Sequence, residues 1–198
     1  MFTDVDLKRQ KGNKILFSRD SRCLQELIGL IEKQNHRTLV MWALDCAKTT
    51  LAWFEEKYPE EHRPRVALER CESWSRGKIK MAEAKKAILD AHAAAKDIND
   101  EEYAALAHAI GHAGATVHVE THALGLAFYE LTAIVLKYGK EEYYRPVSDK
   151  IDYYYQQLLF WQENTDKLRN ELAGFLEDDT RPNKEKLLSE KRKRNQRG

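Results

Sequence analysis

Apolar residues recur three and four positions apart along almost the whole of this chain, and no run of any length alternates in twos. That period places each segment's apolar side chains on one helical face, whereas a half-buried strand would need a period of two. Chain breakers are scarce, with only 4 prolines and 9 glycines in 198 residues. The spacing therefore predicts an all-α fold, a single bundle of about seven helices joined by short connections. At this length one domain can bury a substantial core.

The punctuation gives the order of elements. A polar lead over residues 1–20 precedes a first helix that starts near Asp20 or Ser21 and carries Leu24, Leu27, Ile28 and Ile31. Thr38 is expected to cap a second helix running to Tyr58, where Pro59 stops it. In HRPRVALERCESWSRG, Pro64 suits the first turn of a third helix and Gly77 its end. A fourth spans about Met81 to Lys96. Asn99 with Glu102 then forms a capping-box pattern that opens one long central helix to about Tyr138. Pro146 starts the next, and Thr165 is expected to cap a last helix ending near Glu177. This bounds a helical domain over residues 21–178. The tail 179–198 is expected to be solvated and frayed; from Arg181 onward it holds eight basic residues against Glu185 and Glu190. Its KRKR run gives at most a weak attraction for nucleic acid.

Charge narrows the function classes. Lys plus Arg number 33 against 32 Asp plus Glu, a net charge of +1, so a general nucleic-acid or membrane surface is not expected. No run is long and apolar enough to span a bilayer, and the first residues lack the apolar core of a secretory leader. Cys23, Cys46 and Cys71 form no CxxC pair, and the latter two sit inside apolar helical patterns. Reduced, buried thiols in a cytoplasmic protein are the simplest account.

The segment LAHAIGHAGATVHVETHALG, residues 106–125, sets four histidines among glycines and alanines. On one continuous helix, Ala107, Gly111, Gly114, His118, Thr121, Gly125, Phe128 and Thr132 fall along one narrow seam. Glycine inside a helix costs about 1 kcal/mol against alanine, so three on one stripe call for close backbone-to-backbone approach of a neighbour. His108, His112, His118 and His122 share a third of the circumference, yet His108 and His122 would lie roughly 21 Å apart along a straight axis. One zinc ion cannot gather all four. Two pairs four residues apart remain, His108 with His112 and His118 with His122, each needing further ligands such as His92 or Asp45. HVETH is not the HExxH of zinc proteases. The β-branched cluster Thr116, Val117 and Val119 predicts a kink here.

Several blocks also match a known family in order and spacing. They are Trp42 to Ala47 (WALDCA, with Asp45 and Cys46), Arg63-Pro64-Arg65, Trp74 ahead of Gly77, Ala-His-Ala-Ala-Ala around His92, and Gly111-His112 through His118 to His122. Together they resemble the small all-helical immunity proteins of bacterial polymorphic toxin systems, over about half of the chain. Residues 1–20, 140–160 and the tail fit that pattern poorly. The resemblance implies a cytoplasmic protein that binds a cognate toxin and blocks it; it brings no catalytic residues with it.

A partner needs a surface. In IDYYYQQLLFWQEN and the turn before it, Val147, Ile151, Tyr154, Leu158 and Trp161 form a core stripe, while Tyr153 and Phe160 make a second aromatic ridge. These two, with flanking Tyr143 and Tyr144, are the expected partner-binding residues. Asp45 is expected to orient a histidine or to pair with Arg63 or Arg65. No nucleophile triad, phosphate loop or nucleotide fingerprint is present. The expectation is a non-enzymatic toxin-binding protein with no cofactor. Its rivals are a helical metal-binding protein or metalloenzyme using His112, His118 and His122, and an interaction module unrelated to toxins.

Overall fold

The computed structural model describes residues 2–178 and 180–195. Among them are nine α-helices, several 3₁₀ turns and no strand. The helices are α1 (Thr3–Gln10), α2 (Gln25–Ile31), α3 (His36–Lys57), α4 (Arg63–Ser75), α5 (Met81–Asp97), α6 (Glu101–Ala115), α7 (Ala123–Glu142), α8 (Tyr144–Asn164) and α9 (Lys184–Asn195). The all-α class is as expected, but two of the nine lie where the sequence promised none and one long helix is divided. None of the described helices is long and apolar enough to cross a membrane.

The polar lead forms α1 because two apolar residues suffice to hold it: Phe2 and Val5 are buried in the common core. Asp6, one turn on from Phe2, accepts hydrogen bonds from the Tyr143 and Tyr144 hydroxyls at 2.7 and 3.0 Å. The expected first helix begins as a 3₁₀ turn, Arg22–Leu24, that runs into α2.

α3 is the central element. Its cap is Asn35, whose side chain accepts from the Thr38 amide at 2.8 Å, so Thr38 is already inside the first turn and buried. Leu39, Trp42, Ala43, Cys46 and Phe54 on α3 are fully enclosed. Trp42 Nε1 donates to the Tyr154 carbonyl at 2.9 Å, which pins α3 to α8. α4 starts at the expected proline turn and ends before Gly77, which takes the left-handed φ of 69° that a side chain would resist. α6 is capped by Asp100, which accepts from the Glu102 and Tyr103 amides at 3.1 and 3.4 Å. Asn99, the expected cap, lies one residue too early.

The largest departure is in the middle of the chain. The expected single kinked helix is two antiparallel helices, α6 and α7, joined by a reversal over residues 116–122. Thr116 Oγ1 donates back to the His112 carbonyl at 3.1 Å, and His36 Nε2 donates to the Thr116 carbonyl at 2.7 Å, so the helix end is satisfied from outside. Val117 is buried beneath the turn and Val119 is extended. The β-branched cluster thus ends the helix outright. α7 then packs along α6, and α8 returns across α3 and α7. Thr165 closes α8, its amide and hydroxyl both donating to the Trp161 carbonyl, and opens a 3₁₀ segment, Thr165–Glu171, in place of the expected last α-helix.

In the segment read as a solvated tail, α9 is helical and is docked by its first turn. Glu185 is buried and paired with Arg19, the Lys184 amide donates to Glu120 at 2.7 Å, and the Asn183 side chain donates to the carbonyls of Ile31 and Gln34. Residues 179 and 196–198, the rest of that expectation, lie outside the described residues.

Candidate functional site

α6 presents His108 and His112 one turn apart, α5 brings His92 against them, the reversal returns His122, and α7 supplies Tyr129. His92 and His108 face each other through Nδ1 atoms 2.8 Å apart, and His112 and His122 through Nδ1 atoms 3.3 Å apart. The His112 ring stacks on Tyr129 at 5.1 Å and meets His92 edge-on at 5.2 Å. His118 stands apart: it is exposed and stacks on Trp74 at 6.1 Å. The pairs are therefore not the ones four residues apart on a continuous helix. The reversal folds His122 back onto His112, and α5 inserts His92.

The glycines explain how these rings fit. A Cβ on Gly125 would lie 2.4 Å from the His112 ring, one on Gly111 2.8 Å from the His92 ring, and one on Gly114 2.8 Å from the Cys71 sulfur. Close approach was expected along this stripe, but it is backbone against side chain and not backbone against backbone. Gly111 and Gly125 make room for imidazoles, and Gly114 for the Cys71 thiol.

Burial holds all four clustered histidines below the usual imidazole range; neighbouring rings help to bring His112 to about 3 and His92 to about 4, Lys96 adds to the lowering at His108, and His118 and Arg19 add to it at His122. They are neutral at physiological pH, each pair sharing one Nδ1 proton between a donor and an acceptor ring. Among the described residues, no group of three or more His, Cys, Asp or Glu side chains is arranged to hold a metal ion. Nδ1 atoms aimed at each other are spent on each other.

The remaining family-motif residues are mostly structural. Trp42 and Cys46 are fully buried, and burial pushes the Cys46 thiol far up and the Cys71 thiol to about 12. Asp45 pairs with neither Arg63 nor Arg65 and orients no histidine; it accepts from Trp161 Nε1 at 3.2 Å and faces Lys48. Arg63 instead clamps Glu61 and reaches Asp97 at 2.8 Å, and Arg65 pairs with Glu55. Pro64 and Trp74 are buried.

Of the four aromatic candidates for a partner, Tyr143 is fully buried, because α1 covers it and Asp6 takes its hydroxyl. Tyr144 beside it is 42% exposed and Phe160 is 50% exposed. Tyr153 is half-buried under Lys150, whose ammonium lies 4.7 Å from its ring centre. It lines an open groove of about 400 Å³ with Trp53, Tyr138, Lys137 and Asp149.

Behind that groove lies a polar network the sequence reading missed. Glu130, buried among α3, α7 and α8, accepts from Thr50 Oγ1 at 2.8 Å and from the Tyr154 hydroxyl, and pairs with Lys150 at 2.8 Å. Its signal was a lone carboxylate inside the apolar run LAFYELTAIV. A fully paired buried charge of this kind fixes the register of three helices.

The fold and these sites define a helical bundle whose polar interior is spent on packing. The sequence pattern of the family described as Imm-5 like putative immunity protein matches residues 29–157, more than half of the chain, and the chain belongs to that family. The match reaches through most of residues 140–160, where the block-by-block resemblance had faded. No curated protein and no solved structure gives a significant match.

Proposed function

We propose that this chain neutralises a protein toxin in the cytoplasm by binding it, one molecule to one, with no turnover of its own. Membership of the immunity family carries this reading. The histidine cluster supports it, since neutral rings paired with each other offer neither an ordered nucleophile–base pair nor a converging ligand set. The toxin-facing surface in this proposal is the side of α8 where Tyr153 and the half-exposed Phe160 lie seven residues apart on one face.

The test is growth of cells that co-express the chain and the toxin encoded beside it. Protection should be stoichiometric. Tyr153→Ala combined with Phe160→Ala should weaken it while the circular-dichroism spectrum stays unchanged, because buried interface aromatics commonly contribute about 2 kcal/mol or more each. His122→Ala, if folded, should protect as the parent does. Protection at far below one equivalent would instead indicate an enzyme that destroys the toxin or its product.

A further inference from the structure

A cavity of about 750 Å³ opens between the segment that follows α1 and the helices α5, α6 and α7. Its volume falls in the range of small-molecule sites. Ile15, Leu16, Ile98, Ala104 and Leu136 give it an apolar lining. Arg9, Lys14 and Lys96 stand around it against a single carboxylate, Glu101. None of the three cations has a hydrogen-bond or ion-pair partner among the described residues, and one guanidinium nitrogen of Arg9, Nη1, is buried in that unpaired state. A buried charged donor left unpaired is a strong demand for an acceptor. Deeper in, the cavity meets the histidine cluster at His108 and the Tyr129 hydroxyl, which also makes no hydrogen bond among the described residues. His108 has committed its Nδ1 to His92, so its other nitrogen is the one left for a ligand.

From this arrangement we propose that the cavity is a binding site for an amphipathic organic anion, a small carboxylate whose apolar body lies on the aliphatic lining while its charged end meets Arg9. The chemistry excludes two simpler occupants. A cation would face an excess of positive charge, and a bare inorganic anion would leave the apolar lining uncovered. Lys14 and Lys96 are exposed and act as a positive rim that draws the anion in. His108 is held neutral by burial, so it contributes a hydrogen-bonding nitrogen and not a charge. The site is separate from that face of α8 and does not depend on the toxin reading.

Isothermal titration of the full chain with octanoate tests the proposal, with octylammonium and inorganic phosphate as the matched cation and the matched bare anion. Octanoate should bind saturably at one site per chain and perturb the ring resonances of Tyr129, while the other two should bind at least tenfold more weakly. Arg9→Gln should weaken octanoate at least tenfold, and Ala104→Phe, which fills the lining, should abolish it. Should either of these melt below the parent, Lys96→Glu at the exposed rim should still weaken octanoate severalfold. The proposal is overturned by octylammonium or phosphate binding as tightly as octanoate, by no saturable octanoate binding below its micelle concentration, or by undiminished binding in folded Arg9→Gln and Lys96→Glu.

Discussion

Gly125 and Gly29 both lie in helices, and they should respond in opposite ways to gaining one methyl group. At Gly29 a Cβ meets nothing within 4 Å, so Gly29→Ala should stabilise the chain by about 0.5–1 kcal/mol through helix propensity alone. At Gly125 it would press into the His112 ring, and Gly125→Ala should destabilise by about 1–3 kcal/mol despite the same propensity gain. Urea titration of both variants checks the pair; a stabilised Gly125→Ala would mean that the ring can move aside. The rings carry a pH dependence of definite sign. Unfolded imidazoles bind protons near their ordinary 6.5, while the folded values are about 4 for His92 and about 3 for His112. Between those limits unfolding takes up protons, so stability is complete above about pH 6.5 and is lost as the pH falls. The groups that set this are the other rings of the cluster, with Lys96 and Arg19 as the nearby cations. The melting temperature should drop from pH 7.5 to pH 4.5, and His112→Gln should flatten the drop. An unchanged slope in that variant would show that His112 already titrates normally in the folded chain.

Helix ends decide the next scale. Asn35→Ala should cost about 0.5–2 kcal/mol because Asn35 is the observed cap of α3, whereas Asn99→Ala should be nearly neutral because Asp100 caps α6. Equal losses would contradict this assignment. Apolar spacing made the middles of α3, α4, α5 and α8 legible, since a stripe three or four residues apart has only one helical reading. Ends were less legible, because Asn35 and Thr38, or Asn99 and Asp100, are all competent caps and only packing chooses between them. The break between α6 and α7 was half legible. Thr116, Val117 and Val119 marked the place, but a kink and a full reversal share the same local signal. The distinction came from His36, eighty residues away, which satisfies the freed Thr116 carbonyl. The histidine pairing depended on that reversal, so it could not be read from spacing on one straight helix. α1 was invisible for a different reason: two buried residues, Phe2 and Val5, make no period.

For the whole molecule, the reversal at residues 116–122 sets a likeness between sequence order and assembly order. α6 and α7 are neighbours in the chain and also pack extensively on each other, so their meeting closes only a short loop. α1 and α9 find their places against partners from distant parts of the chain, Tyr143 for one and Arg19 with Glu120 for the other. Closing longer loops costs more conformational entropy, so contacts of small separation should be in place when the chain crosses its folding barrier. Leu124→Ala on α7 should then slow refolding in stopped-flow experiments, while Val5→Ala on α1 should leave refolding almost untouched and speed unfolding. The reverse pattern would place the chain ends in the nucleus. On this account the hairpin that gathers the histidines also times the birth of the fold, and the terminal helices are late additions that can come loose without dissolving it.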